Sequence, residues 1–125
     1  WLILQQDRPD DFVIATGKNF SVRDFILKSF QNLGIEISFK GKGKKEVGYI
    51  SVINQPASHL KIGDVVIKVD PEYYRPTEVD TLLGDSSKAR KILKWKPKYN
   101  FDSIVKEMIE SDLEIAKKEK LIKNK

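Results

Sequence analysis

The stretch from residue 12 to residue 34 constrains the fold more than any other part of the chain. It begins with "FVIAT" (12–16), a short apolar run rich in β-branched residues, which predicts a buried strand running parallel to its neighbours. A helix pattern follows, in which Ser21 and Asp24 have the spacing of a capping box and Gly34 supplies the C-terminal stop. Its apolar residues recur at helical spacing along one face: Val22, Phe25, Ile26, Phe30 and Leu33. A strand followed directly by a helix indicates an α/β lobe.

The remaining segments extend this pattern. Three of them predict strands or extended chain: 35–39, 49–53 and 65–69. Residues 1–6 are typical of the end of a helix, and residues 40–48 of a flexible loop. A short helix is expected over 86–93, capped by Asp85 or Ser86, and a longer one after Asn100. The predicted buried stripe of that last helix is Phe101, Ile104, Val105, Met108, Ile109 and Leu113.

Composition excludes several kinds of site. The 125 residues contain no cysteine, so disulfides, thiolate metal sites and cysteine nucleophiles are excluded, and the single histidine, His59, is expected on a surface loop. We expect no metal site. No apolar run reaches the roughly 18 residues of a membrane span and no signal peptide is visible, so we expect a cytoplasmic protein with no membrane partner.

Much of the net charge of +5 lies in two lysine-rich segments, "KGKGKK" (40–45) and the basic tail at 117–125. Such segments can bind nucleic acid, but no aromatic residues interleave with the lysines to stack on bases. We therefore expect solvated surface and no nucleic-acid partner, although a non-catalytic basic binding module remains an alternative.

The sequence lacks the common cofactor-binding and catalytic motifs. Gly41 and Gly43 could begin a dinucleotide-binding Gly-x-Gly-x-x-Gly, but Glu46 occupies the third glycine position and no helix follows. No tyrosine has a lysine four residues on, so the Tyr-x-x-x-Lys pair of short-chain reductases is absent. We therefore expect no catalytic and no cofactor-binding residues in this chain. Because the chain begins at Trp1 inside an apolar stretch, we expect a piece of a longer protein.

One segment combines groups suited to a ligand, "YYRPTE" at 73–78. The guanidinium of Arg75 presents donors in a planar fork that matches phosphate oxygens, and Glu78 can accept hydrogen bonds from two hydroxyls. Pro76 restricts the backbone between them. From chemistry alone the segment is either a ligand clamp or a surface salt bridge.

Longer stretches resemble the GDP-mannose 4,6-dehydratase family of extended short-chain dehydrogenases/reductases. The resemblance is carried by "LQQDRPDDFVIATG" (4–17), "SVRDF" (21–25), "LGIEI" (33–37), "IGDVVIKVDP" (62–71) and "YYRPTEVDTLLGDSSKARKILKWKP" (73–97), and covers residues 1 to about 118. The "LLGD…KA…L.WKP" part alone would also fit sugar-nucleotide epimerases and reductases, which stay an alternative. Ser86 stands where many relatives have proline.

The resemblance implies a fold and a function. It implies the C-terminal sugar-nucleotide-binding lobe of the NAD(P)-binding Rossmann-like superfamily over 1–125, with the Rossmann core and the catalytic Thr, Glu, Tyr and Lys missing from this chain. The family enzyme converts GDP-mannose to GDP-4-keto-6-deoxymannose, for GDP-fucose and other deoxyhexoses, with NADP as cofactor, and forms dimers or tetramers. By motif, Arg75 is expected on the diphosphate and Glu78 on a ribose hydroxyl. The chain alone is expected to be inactive.

Overall fold

The computed structural model describes residues 1–54, 59–75 and 82–123. Its helices are α1 (Val22–Asn32), α2 (Ser87–Ile92) and α3 (Phe101–Lys123), and its strands are β1 (Ile35–Lys40), β2 (Val47–Ile53) and β3 (Val65–Lys68). Short 3-10 turns occupy Leu2–Gln5 and Gly43–Lys45. The chain divides into two compact units. Unit 1 consists of Trp1–Phe20 and Val79–Asn100, and unit 2 of Ser21–Glu78 and Phe101–Lys125.

The sheet of unit 2 has three strands in the order β1-β2-β3, and both pairs are antiparallel. Side chains of Ile35, Ile37 and Ile50 are buried on it and form a small core. The partly buried apolar side chains that pack against this core are Phe30, Leu33, Phe39, Ile53, Leu60 and Val66. The predicted strands at 35–39, 49–53 and 65–69 are therefore confirmed, but they form an antiparallel sheet.

Helix α1 begins as the sequence predicts. The Ser21 hydroxyl accepts the backbone N–H of Asp24 at 3.0 Å, and the Asp24 carboxylate accepts the backbone N–H of Ser21 at 2.8 Å. This reciprocal pair is the predicted capping box, which satisfies donors at the helix N-terminus. Gly34 follows the helix at φ 71°, a left-handed conformation that favours glycine, and β1 starts at the next residue.

The predicted stripe of α3 is only partly buried. Val105 is buried and Phe101 and Ile109 are half-buried, whereas Ile104, Met108 and Leu113 are 39–46% exposed. Near the helix start, the rings of Phe25 and Phe101 meet edge to face with centroids 6.5 Å apart. The helix continues through most of the predicted basic tail, to Lys123.

The structure of unit 1 contradicts a second prediction, the strand at 12–16. No strand forms at 12–16, and Val13 and Ile14 are about half exposed. A strand needs a neighbour for its backbone hydrogen bonds, and no strand lies beside this run in the described part of unit 1. The run packs instead against Gly84, where a Cβ would lie only 2.7 Å from the Cβ of Ala15. The predicted parallel strand at 12–16 is therefore wrong for this structure, and the predicted helix end at 1–6 is a 3-10 turn.

Ala89 of helix α2 and Leu93, the residue after it, are buried. Of the two predicted capping residues, Asp85 is the one whose side chain bonds to the start of the helix. Its Oδ1 accepts the backbone N–H of Ser87 at 2.9 Å. Arg90 ties the helix to the 12–16 run by donating to the Thr16 carbonyl oxygen at 3.0 Å and to the Ser86 hydroxyl at 3.1 Å.

Candidate functional site

The candidate site lies where the chain leaves β3. The Asp70 carboxylate accepts the backbone N–H of Glu72 at 2.9 Å, which stabilises a turn directly after the strand. This turn is followed by Tyr73, Tyr74 and Arg75, all in unit 2. The end of the sheet therefore sets where the predicted ligand-binding segment begins.

Tyr74 is held more closely than Tyr73. Tyr73 is 76% exposed, whereas Tyr74 is 36% exposed because its ring lies against the turn that joins β1 to β2. At Gly43 in that turn, a Cβ would lie 3.3 Å from the Tyr74 hydroxyl oxygen. The ammonium of Lys44 lies 5.5 Å from the centroid of the same ring, within the range of a cation–π contact. Residues 43 and 44 thus fix the ring that precedes Arg75.

Arg75 is exposed, and within the described ranges no carboxylate forms an ion pair with it. The guanidinium is therefore able to meet an anion from solution at little desolvation cost. Its predicted partner in the site, Glu78, lies outside the described residues, as do Pro76, Thr77 and Asp80. The structure thus places one of the two predicted site residues and does not test the pairing.

Ser21 and Arg23 lie at the start of α1, a position at which an anion could bind. In the structure, both side chains instead contact other groups of the chain. Ser21 belongs to the capping box. The Arg23 guanidinium donates to a carboxylate oxygen of Glu46 at 2.6 Å and lies 4.3 Å from the Phe39 ring centroid. Ser21 therefore caps the helix, as the sequence predicts, and Arg23 forms an ion pair with Glu46.

The start of α2 also carries polar groups beside an open concavity. Asp85 accepts hydrogen bonds from both the hydroxyl and the backbone N–H of Ser87, and these bonds lower the pKa of the Asp85 carboxyl group. Beside it, an open concavity of about 490 Å³ is lined in part by Gly17, Lys18 and Arg90. Since Arg90 is occupied by Thr16 and Ser86, its role there is to hold unit 1 together.

The glycines of the lysine-rich turn do not fit a dinucleotide. Gly41 and Gly43 have φ angles of 88° and 55° and lie between two antiparallel strands, not between a strand and a helix. A dinucleotide site needs a helix N-terminus directly after its glycine-rich turn. At Gly41 a Cβ would collide with the backbone of Lys45, so this glycine serves the turn itself.

Among the residues that the structure describes, no group of three or more His, Asp or Glu side chains could hold a metal ion. No helix in the described ranges is long and apolar enough to cross a membrane. His59 is exposed, as predicted.

Sequence reasoning missed the contact between Lys44 and Tyr74. These residues are thirty positions apart, and only the pairing of β1 with β2 and of β2 with β3 brings them together. The signal in the sequence was the pair of glycines in "KGKGKK", which indicated a tight turn and not only a solvated loop.

Comparison with known proteins agrees with the resemblance in the motifs. Residues 1–108 match the family described as GDP-mannose 4,6 dehydratase. A GDP-mannose 4,6-dehydratase of Vibrio cholerae is 52% identical over 124 residues and one of Yersinia enterocolitica is 49% identical, each over 98% of this chain. The human GDP-mannose 4,6 dehydratase is 47% identical over 94% of the chain.

The chain spans about a third of the length of these relatives, 33% of the two bacterial proteins and 29% of the human one. The match is to dehydratases by name and extends over nearly the whole chain, so it favours this family over an epimerase, a reductase or an unrelated basic module. The chain belongs to the GDP-mannose 4,6-dehydratase family.

Proposed function

We propose that this chain is the C-terminal sugar-nucleotide-binding lobe of a longer GDP-mannose 4,6-dehydratase. That enzyme would convert GDP-mannose to GDP-4-keto-6-deoxymannose, the precursor of GDP-fucose and other deoxyhexoses. The observation that carries the proposal is about 50% identity to proteins of that name over 98% of the chain. Within the lobe, the Arg75 guanidinium is exposed and has no ion-pair partner among the described residues, which supports a role in binding the substrate.

We assign two residues to the substrate. Arg75 would bind the diphosphate through its planar fork, and Glu78 would accept a hydrogen bond from a ribose hydroxyl. The fixed ring of Tyr74 supports this role for Arg75, because a held neighbour lowers the entropy lost when the arginine binds. The conformation of residue 78 is not part of this support.

The remaining functions of the enzyme would lie outside this chain. NADP supplies the redox capacity when bound, and we propose that a separate cofactor domain holds it, since the glycines of the 40–45 turn do not fit a dinucleotide. The catalytic Thr, Glu, Tyr and Lys would belong to the same domain. We further propose that the full enzyme is cytoplasmic and forms a dimer or tetramer, with no nucleic-acid or membrane partner.

The proposal is tested by assaying the full-length protein with NADP against two sugar nucleotides, GDP-mannose and UDP-glucose. We expect a 4-keto-6-deoxy product from GDP-mannose and no turnover of UDP-glucose. Epimerisation of UDP-glucose, or conversion of GDP-mannose to an epimer without loss of water, would instead assign the lobe to another sugar-nucleotide enzyme.

A further inference from the structure

The turn between β1 and β2 is a defined structure that presents one lysine to the candidate site. Its backbone bonds run from the Lys45 N–H to the Lys42 carbonyl oxygen at 3.2 Å and from the Glu46 N–H to the Gly43 carbonyl oxygen at 3.0 Å. The ion pair between Glu46 and Arg23 connects the end of this turn to α1. Lys44 is thereby placed over the ring of Tyr74, the residue before Arg75.

Lys44 differs from three other cations that the structure holds in ion pairs. Arg23, Lys28 and Lys88 each have a carboxylate oxygen at 2.6–2.7 Å. Within the part of the chain that the structure describes, neither Lys44 nor Arg75 has such a partner. Two cations without a described carboxylate partner, one over the Tyr74 ring and one at the next residue of the chain, favour a ligand that carries more than one negative charge.

Both cations lie close to Tyr74, Lys44 in space and Arg75 along the chain. A cation–π contact uses one side of the Lys44 ammonium, and the N–H donors that point away from the Tyr74 ring stay available to an anion. Arg75 is one residue along the chain from the same ring, and consecutive Cα atoms are about 3.8 Å apart. The two phosphate groups of a nucleoside diphosphate could therefore be bound by different cations.

We propose that Lys44 is a second diphosphate-binding residue of the sugar-nucleotide site, held in place by the ring of Tyr74. This assignment rests on the proposed function, because it takes Arg75 to be the first such residue. Tyr74 is a positioning residue, since it acts on the ligand through Lys44 and Arg75.

The test measures the Kd of GDP-mannose for the full-length enzyme by calorimetry at two salt concentrations. Lys44→Gln should raise the Kd about tenfold, as the loss of one charge-assisted hydrogen bond does, and should weaken its dependence on salt. Lys44→Arg keeps the charge and the ring contact and should stay within about twofold of the parent enzyme. The matched control is Lys45→Gln, an exposed lysine of the same turn with no recorded ring contact in the described residues, which should also stay within about twofold.

The outcomes separate this inference from the proposed function. An unchanged Kd for Lys44→Gln, or an equal loss for Lys45→Gln, would overturn the role of Lys44. Arg75→Ala in the same experiment tests the site itself. If Arg75→Ala weakens binding while Lys44→Gln does not, the proposed function stands without Lys44. If Arg75→Ala leaves the Kd unchanged, the site is elsewhere.

Discussion

Arg75 is the residue whose substitution should weaken substrate binding most directly. In the full-length enzyme, Arg75→Ala should weaken binding of GDP-mannose by about 1.5 to 3 kcal/mol, the usual cost of losing a hydrogen bond to a charged group. The affinity of Arg75→Lys should fall between those of the parent enzyme and of Arg75→Ala, because lysine keeps the charge but cannot bind bidentately. Calorimetric titration with GDP-mannose gives all three affinities.

Arg8 provides the control for Arg75. It is also an exposed arginine, but it belongs to unit 1 and lines a different concavity. Arg8→Ala should leave the affinity unchanged. Equal losses for the two alanine variants would show a general effect of positive charge and would remove Arg75 from the site.

Asp24 shows how a local hydrogen-bond pattern gives a pH dependence. Hydrogen bonds from the Ser21 hydroxyl at 2.7 Å and from the Ser21 backbone N–H at 2.8 Å lower the pKa of the Asp24 carboxyl group below its ordinary value of about 3.9. A lowered pKa in the folded state means that the capping box stabilises α1 above the unfolded pKa. That stabilisation is lost as pH falls through the folded pKa.

The Asp24 carboxyl should therefore titrate below 3.9 in a carbon-13 NMR experiment. Ser21→Ala should move the midpoint back up toward the ordinary value, because it removes the hydroxyl that is the largest cause of the shift. Ser51→Ala is the control, since that hydroxyl donates to the Glu36 carbonyl oxygen. A midpoint that Ser21→Ala does not change would mean that the capping box is not formed in solution.

At the scale of elements, the three-stranded sheet depends on a few buried isoleucines. Ile50 in β2 is fully buried, so Ile50→Ala should lower the local stability of the sheet by about 2 to 5 kcal/mol. Ile62→Ala removes the same atoms from a side chain that is 68% exposed and should cost about 0.5 kcal/mol or less. Amide hydrogen exchange of β2 in the full-length protein measures both, and equal effects would show that Ile50 is not in a packed core.

The elements that the sequence predicted correctly are those defined by local signals. The Ser21 and Asp24 pair specifies the start of α1 because its hydrogen bonds join residues three positions apart. The alternation in 35–39 marks β1 for a similar reason. Strand direction is different, because it depends on which distant segments pair. The apolar run at 12–16 therefore indicated a parallel strand that the structure does not contain.

The candidate site also depends in part on the pairing of distant segments, which the sequence does not reveal. Arg75 could be chosen from its chemistry and its motif, and its exposure agrees with that choice. Lys44 could not be chosen, because its contact with Tyr74 depends on the sheet register. Each of the four lysines in 40–45 looks solvated in the sequence, and only the turn geometry places Lys44 against Tyr74.

At the scale of the whole molecule, the described residues bury little apolar surface. Their buried hydrophobic side chains are Ile35, Ile37, Ile50, Ala89, Leu93 and Val105. In unit 1 alone, Trp1, Leu4, Leu82 and Leu83 are each more than 60% exposed. A protein of this length usually buries far more of its apolar surface, so these side chains are expected to be covered by other parts of a full-length enzyme.

The isolated 125-residue chain should therefore differ from the full-length enzyme in two measurable ways. It should form no product from GDP-mannose and NADP, because we propose that the catalytic Thr, Glu, Tyr and Lys belong to a separate cofactor domain. It should also bind an apolar fluorescent dye strongly, since uncovered Leu82 and Leu83 offer it a surface that the intact enzyme would hide. The full-length enzyme, assayed beside it, should be active and bind little dye.

Turnover by the isolated chain would mean that it holds catalytic groups after all. Weak dye binding would mean that the chain covers its own apolar surface, and a free-standing lobe would become the better description.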